Sequence, residues 1–430
     1  MTDHDWPRVR LASLIKVKHG FAFKGEFFVD GPTENLLVTP GNFAIGGGFQ
    51  LGKPKYYNGP IPAEYVLEPG SLVVTMTDLS KAADTLGYGA VIPRVEGMTF
   101  LHNQRIGLVE VKSKDIDQSF LHYLLRTHGY RQHIVGSASG STVKHTSPGR
   151  IEDYQFDLPP KAMQVRIGEV LCSLDDRITL LRETNATLEA IALALFKSWF
   201  VDFDPVRAKA EGREPEGVPL EVVDLFPNEL VGSELGMIPK GWKAGKLGEV
   251  ITILDSRRVP LSKREREQRK GSFPYYGAAS IMDYVDGYLF DGVHVLVGED
   301  GSVINQDGTP VIQYAWGKYW VNNHAHVLAA SGPACLEHIM LALKQQNITP
   351  FVTGAVQPKL NQGNMVRIPF LISPPEIAVT FSNMLQPVYA GVRHNSDRVQ
   401  NLAELRDTLL PRLMSGKLRI AEAEKELEAV

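Results

Sequence analysis

Seven basic residues fall between Arg257 and Lys270: Arg257, Arg258, Lys263, Arg264, Arg266, Arg269 and Lys270. Tyr275 and Tyr276 follow closely. Cations neutralise phosphates and aromatic rings pack beside sugars and bases, so this density suits a nucleic-acid contact. The same run also reads as a solvated helical face, because Glu265 and Glu267 stand within it at pairing distance. A smaller group of this kind, Lys53, Lys55, Tyr56 and Tyr57, lies early in the chain and is alternatively an ordinary surface strand. Two further stretches, one with Ser141, Thr142, Lys144 and His145 and one with Lys359 and Asn361, correspond to each other. Lys144 and Lys359 hold the same place in them, as phosphate anchors or as plain surface lysines. His102 to Arg105 and Asn322 to His324 also correspond. Their amides could bond adenine edges, or could tie down turns.

Residues for covalent chemistry are missing. Leu158-Pro159-Pro160-Lys161 and Ser373-Pro374-Pro375-Glu376 lack the amide or carboxylate before the prolines and the aromatic after them that an amino-methyltransferase motif requires. They read instead as helix starts, where proline's missing N–H costs nothing. No phosphate-binding Gly-x-x-x-x-Gly-Lys-Ser/Thr loop is present. Glu299 and Asp300 read as a turn rather than a nuclease pair, and His324 and His326 lack the further ligands of a metal site. Cys172 and Cys335 cannot build a disulfide framework or a four-thiolate site and read as core residues. The expectation is a non-enzyme with no catalytic residue, no metal and no cofactor of its own.

The elements that would carry these groups come in two copies. Trp6, Arg10 and Leu11 match Trp242, Lys246 and Leu247. Leu67, Gly70 and Asp78 match Leu289, Gly292 and Asp300, and Asn103 and Leu108 match Asn323 and Leu328. Lys144 and the Pro159-Pro160 pair match Lys359 and Pro374-Pro375. Leu188, Ile191 and Leu195 match Leu402, Leu405 and Leu409. The offset only falls along the chain, as a duplicated module with deletions in its second copy requires. Each copy opens with short β-rich runs and turns, then a proline pair, then a long helical pattern.

The first helical pattern runs from about Lys161 to Phe200 through Met163, Ile167, Val170, Leu174, Ile178, Leu181, Leu188, Ile191, Leu195 and Trp199. The second runs from about Glu376 to Leu410 through Ile377, Phe381, Met384, Val388, Val392, Val399, Leu402, Leu405 and Leu409. Unbroken helices of this length are coiled-coil candidates, and chain connectivity makes the pair antiparallel. Asn185 and Asn395 interrupt the apolar seam, either at a solvated edge or as register-fixing polar residues. The expected fold is α+β: two β-rich mixed α/β domains at opposite ends of an antiparallel coiled coil, in a pseudo-twofold repeat. The boundaries are 1–159 for the first domain, 160–205 for the first spacer helix and 206–238 for a linker. The second domain follows at 239–373, the second spacer helix at 374–416 and an acidic tail at 417–430.

With 43% apolar and 22% charged residues and no run near the roughly 20 apolar residues that cross a bilayer, the chain reads as soluble. Its polar start, with Trp6 and Pro7, is unlike a targeting peptide, so a cytoplasmic location is expected. The net charge of -4 is unevenly spread. Residues 206–238 hold seven acids against three bases, and residues 239–375 hold fourteen bases against eleven acids. A DNA-binding face is therefore permitted.

Several stretches carry a family resemblance: Lys197-Ser198-Trp199-Phe200-Val201-Asp202-Phe203-Asp204-Pro205-Val206, Leu289-Phe290-Asp291-Gly292, Val297-Gly298-Glu299-Asp300-Gly301-Ser302, Asn322-Asn323-His324-Ala325-His326 and Leu409-Leu410-Pro411-Arg412-Leu413-Met414-Ser415-Gly416. With the two-copy plan, they make nearly the whole chain resemble the specificity subunit of type I restriction-modification systems. The resemblance implies two target-recognition domains that read an asymmetric, two-part site in double-stranded DNA. It implies docking of two methyltransferase (M) subunits and of restriction (R) subunits, partners that use S-adenosylmethionine, ATP and Mg, and no membrane. Trp199, Phe200 and Phe203 are then docking or cap residues, or packing within the spacer's own junction. The competing reading is a stand-alone repeat scaffold that binds proteins and has no DNA role.

Overall fold

The computed structural model describes residues 6–80, 82–215, 217–354 and 356–428. Residues 1–5 of the polar start lie outside them. The chain divides into two compact units, residues 1–180 with 398–430, and residues 181–397.

In the first unit a four-stranded sheet runs in the order Ile15–His19, Ile106–Val111, Leu72–Thr75 and Gly89–Val91. A five-stranded sheet follows the order Phe28–Val29, Tyr56–Tyr57, Asn35–Val38, Thr99–His102 and Val66–Leu67. The second unit repeats the plan. Its four-stranded sheet runs Ile251–Ile253, Ala325–Ala330, His294–Gly298 and Ile312–Ala315. Its other sheet runs Ile281–Val285, Lys270–Tyr276, Lys318–Val321 and Phe290–Asp291. In both copies the latter sheet contains one parallel pair, Asn35–Val38 with Thr99–His102 and Lys270–Tyr276 with Lys318–Val321. The opening strand also pairs with the strand before the prolines at matching register: Val9 faces Phe156 and Gly245 faces Phe370. The duplication read from spacing is thus a duplication of hydrogen-bond register, which a one-residue slip would destroy by turning each core side chain outward.

The two long helices are Lys161–Phe200 and Pro375–Met414. Each begins at its proline pair, where the N–H of Met163 bonds Pro160 O and that of Ile377 bonds Pro374 O. The first ends where Phe203 turns into the left-handed region (φ 56°), a strained conformation for a side chain with a Cβ. Burial of its ring edge-on against Trp242 at 5.9 Å holds it there. Each unit takes half of each helix. In the second unit Trp199 packs on Phe381 at 5.2 Å and Asn185 bonds Asn395 at 2.9 Å, so the helices run antiparallel as expected. Trp199, Phe200 and Phe203 are all buried there among Phe226, Trp242 and Phe381, which makes them junction core rather than free docking side chains. The stretch read as a linker holds short helices, Asp204–Glu211 and Leu220–Val223, and a hairpin, Leu230–Ser233 with Gly236–Pro239. The last segment forms a helix, Ile420–Glu428, that buries Ala423 and joins Glu424 to Arg166 by an ion pair.

In the first unit the helix seam carries a buried charge. Asp175 accepts from Arg126 (2.8 Å), Arg406 (2.6 Å) and the Tyr123 hydroxyl (2.8 Å). Burial alone would raise its pKa, but the two guanidiniums hold the carboxyl below its usual range. His122 beside it is pushed down to about 3, chiefly by burial and then by Arg126. Asp175→Ala leaves the buried Arg126 without its carboxylate, while Arg406 keeps Asp407 at 2.7 Å, and is expected to cost about 3 kcal/mol in chemical denaturation at neutral pH. A carboxylate with a depressed folded pKa contributes its stability above the unfolded value near 4 and loses it as pH falls through the lower folded value. The gap between variant and wild type should therefore close below about pH 4, and a gap independent of pH would refute this role.

Candidate nucleic-acid interface

The seven basic residues of the Arg257 to Lys270 stretch separate into two classes. Arg258 has only 10% of its side chain exposed and bonds Glu299 at 2.7 Å, Asp255 at 3.2 Å and Ala325 O at 2.6 Å. Arg266 bonds Leu261 O and Asp283 and lies over the Tyr275 ring. Arg269 pairs with Asp286 at 2.8 Å above the Trp320 ring. Arg257 donates to Leu289 O at 2.8 Å and covers Phe290, and Lys270 pairs with Asp283 at 2.5 Å. All five are engaged within the unit: Arg258 and Arg266 are largely buried, whereas Arg257 and Lys270 are exposed. Lys263 and Arg264 differ: they sit on the short helix Lys263–Gln268, capped reciprocally by Ser262 and Glu265. Lys263 is 85% exposed and only 3.9 Å from Glu267. Exposed Arg264 has no ion pair among the described residues.

Four residues expected at a DNA surface are corrected by the structure. Tyr275 is 1% exposed and its hydroxyl is consumed by the Leu261 N–H at 2.9 Å. Tyr57 is 2% exposed within rings of Phe23, Phe27 and Phe28. Arg258 is neutralised as above. Asn322 is buried, its side-chain oxygen accepting from the His324 N–H at 2.8 Å. Asn103 accepts from the Arg105 N–H at 3.0 Å in the same way, so Asn322 rather than Asn323 repeats its turn. Tyr276 is half-buried and its phenol is raised to about 12 by burial. The second unit's solvent-facing tyrosines are Tyr284 and Tyr288, with Met282 and Ile281 beside them and the Lys318 ammonium 4.8 Å from the Tyr288 ring. Strand alternation, with Met282 and Tyr284 outward and Asp283 and Val285 inward, was the signal that could have found them.

In the first unit Lys53 and Lys55 are exposed and have no acidic partner among the described residues, while Tyr56 is half-buried. Ser141 and Thr142 sit at the tip of a tight turn closed by Ser139 and His145, which exchange backbone hydrogen bonds. Lys144 faces Asp78 across the Lys144–His145 strand, and the His145 Nδ1 lies 3.2 Å from the Thr77 hydroxyl. Lys359 faces Asp300 in the same way. Its turn is closed by Thr353 and Lys359, which aligns Lys359 with His145 instead, so the second copy is shifted by one residue at this corner. Both turns require glycine. Gly140 and Gly354 have positive φ, and an added Cβ would stand 2.0 Å from Val143 O and 2.3 Å from Gln357 O. His324 is exposed near Asp300, and Asn361 caps the helix Gln362–Met365.

Asp255, Glu299 and His326 cluster within metal-ligand reach of one another. Their donor set does not fit a cation. The Arg258 guanidinium already bridges both carboxylates, and Asp255 also accepts from the His326 ring at 2.6 Å, Val327 N–H at 2.9 Å and Gln362 at 2.6 Å. Burial would raise the Asp255 pKa, but His326 and Val327 hold it below its usual range. The cluster ties four separate segments of the unit together.

The family described as "Type I restriction modification DNA specificity domain" matches residues 63–190 and 239–402. The chain belongs to this family. The MjaIX specificity subunit of Methanocaldococcus jannaschii is 23% identical over 74% of this chain and 73% of its own length. The HindI specificity subunit of Haemophilus influenzae is 25% identical over 72% of this chain and 80% of its own. In fold, the S subunit of the type I restriction-modification system of M. genitalium superposes with a TM-score of 0.55 at 16% identity, covering 96% and 97% of the two chains. This specificity subunit's role is therefore DNA sequence recognition, and a scaffold without a DNA role finds no support. The relatives are specificity subunits, a non-catalytic class.

For the specificity subunit, the two classes of arginine should behave differently. Arg258→Ala is expected to cost about 3–5 kcal/mol in chemical denaturation, whereas Arg264→Ala should change stability by less than about 0.5 kcal/mol. Equal losses would show that burial does not separate them.

Proposed function

We propose that this chain reads a two-part, asymmetric site in double-stranded DNA, one half-site through residues 1–159 and the other through residues 239–373. The observation that carries this reading is one backbone plan used twice with unlike solvent-facing groups. The first copy offers Lys53, Lys55, Ser141, Thr142 and His145, with Lys144 half-buried beside them. The second offers Lys263, Arg264, His324, Lys359 and Asn361, with Tyr284 and Tyr288 also exposed. Equal scaffolds with different side chains suit half-sites of different sequence. Lysines contact phosphates and set register on the duplex, whereas amides, hydroxyls and rings meet base edges and sugars.

The paired long helices set how many base pairs between the half-sites go unread, and they dock two methyltransferase subunits that restriction subunits then join. Those partners supply the chemistry that uses S-adenosylmethionine, ATP and Mg. The work is done in the cytoplasm, where the host DNA lies.

Mapping methylated positions in host DNA with and without this chain should reveal one split motif that depends on it. Exchanging residues 1–159 for another such domain should change only one half of that motif. Inserting residues in phase into both long helices should lengthen the unread gap and leave both halves intact; altered half-sites would refute the spacer role. Replacing Lys263 and Arg264 together by alanine should weaken binding of the assembled methyltransferase to all duplexes. It should also reduce the slope of log affinity against log salt by about one per residue removed. An unchanged slope would place the phosphates elsewhere.

A further inference from the structure

Two aliphatic side chains of the first unit are held far out in solvent by buried polar anchors. Ile45 is 77% exposed at the tip of a tight turn, in which the Ala44 N–H bonds Gly48 O and the Gly47 N–H bonds Ala44 O. The turn is fixed from beneath. Arg126, with 2% of its side chain exposed, donates to Gly46 O at 2.8 Å and fills the space where a Gly47 side chain would stand. Leu79 is 66% exposed and follows Asp78, whose buried carboxylate accepts from the N–H groups of Ser80, Thr85 and Leu86. Burial would raise the Asp78 pKa, but these bonds hold it low. Ile45 and Leu79 line one concavity with Phe43 and Gln50.

Rigidly presented apolar tips gain nothing in the free chain, since exposed aliphatic surface is unfavourable in water. Their surroundings point to a polyanion. Lys144 stands opposite Asp78 on the neighbouring strand, Ser141 and Thr142 lie on the turn beside it, and Lys53 and Lys55 follow the loop that carries Ile45. None of these three lysines has an acidic partner among the described residues, and the loop's own acid, Asp84, is half-buried. Elsewhere in the unit, cations such as Arg126 and Lys161 are paired with carboxylates.

We propose that Ile45 and Leu79 form a wedge that enters the duplex between base pairs of the first half-site, while Lys53, Lys55 and Lys144 hold the flanking phosphates. Aliphatic wedges of this kind unstack a base step and kink DNA, so the cost depends on how easily that step deforms. Part of the first half-site would then be read by stiffness rather than by hydrogen bonds. The wedge rests on the DNA-reading function proposed above and adds a mode of reading to it.

The test uses the full chain assembled with its methyltransferase and duplexes that contain the mapped motif. A fluorescent adenine analogue is moved step by step across the half-site that responds to exchange of residues 1–159, and bending is followed by energy transfer between the duplex ends. The wild-type assembly should brighten the probe at one step and shorten the end-to-end distance. Ile45→Ala with Leu79→Ala should abolish both signals and weaken specific binding about tenfold, with the salt slope unchanged. Ile45→Met with Leu79→Met, which keeps bulk, should retain them. Because both side chains are exposed, the alanine variant should unfold at the wild-type temperature. Sequence-specific binding without a brightened step, or with alanine variants within about twofold of wild type, overturns the wedge alone. An assembly with no sequence preference overturns the DNA reading and the wedge together.

Discussion

Between Ile178 and Ala192 of the first long helix, and between Val392 and Leu402 of the second, no side chain is fully buried. The apolar seam that should hold two forty-residue helices together is thus concentrated near their ends. What joins them in the sparse stretch is a small hydrogen-bonded ladder. Asn395 donates to the Asn185 side-chain oxygen at 2.9 Å, and Asn185 donates to Val392 O and the Ser396 hydroxyl, each at 3.0 Å. Apolar surfaces slide past one another at little cost, whereas an amide pair is satisfied in one alignment only. This pair therefore favours one alignment where apolar packing is thin, as the Arg406–Asp175 pair does in the first unit.

Nearer the helix ends the packing problem is solved differently in the two units. The second fills its junction with rings: Phe196, Phe200, Phe370 and Phe381 surround His338, whose pKa burial depresses to about 3, and Trp199 and Trp242 pack on Phe200. The first uses aliphatic side chains, Ile167, Leu171, Leu174, Leu409 and Leu413, with the Asp175 ion network at its edge. One backbone plan thus tolerates unlike cores, because strand register and the proline-led helix starts are fixed by main-chain bonds. The same tolerance lets the loops diverge.

The long helices, their starting prolines and the duplication were legible in the sequence because each leaves a periodic or ordered mark. Much of the interface was not. Arg258 and Arg264 look alike in a basic run, and what separates them is that Asp255, Glu299 and Ala325 come from elsewhere in the unit to meet only the first. Tyr275 and Tyr276 drew attention by their position beside the charges, yet Tyr275 points into the core while Tyr284 and Tyr288 point out. Density of a residue type reports composition, and exposure is a tertiary property. Asn103 and Asn322 show the reverse: the structural alternative, a turn tie, was readable from residue type and is what the bonds show.

The overall charge bears on how such a chain discriminates. Phosphate neutralisation supplies affinity without sequence information, and every free cation strengthens binding to the wrong sites as much as to the right one. Here the net charge is -4, and within the Arg257 to Lys270 stretch most cations are spent on internal carboxylates and carbonyls. In that stretch Arg264 has no ion pair among the described residues and Lys263 only the exposed Glu267 at 3.9 Å. The ratio of specific to non-specific binding, which decides occupancy in a genome full of competing sites, must come from groups that meet bases or deform them. Rigid loop tips and outward aromatic strands are the parts of this molecule that can supply it.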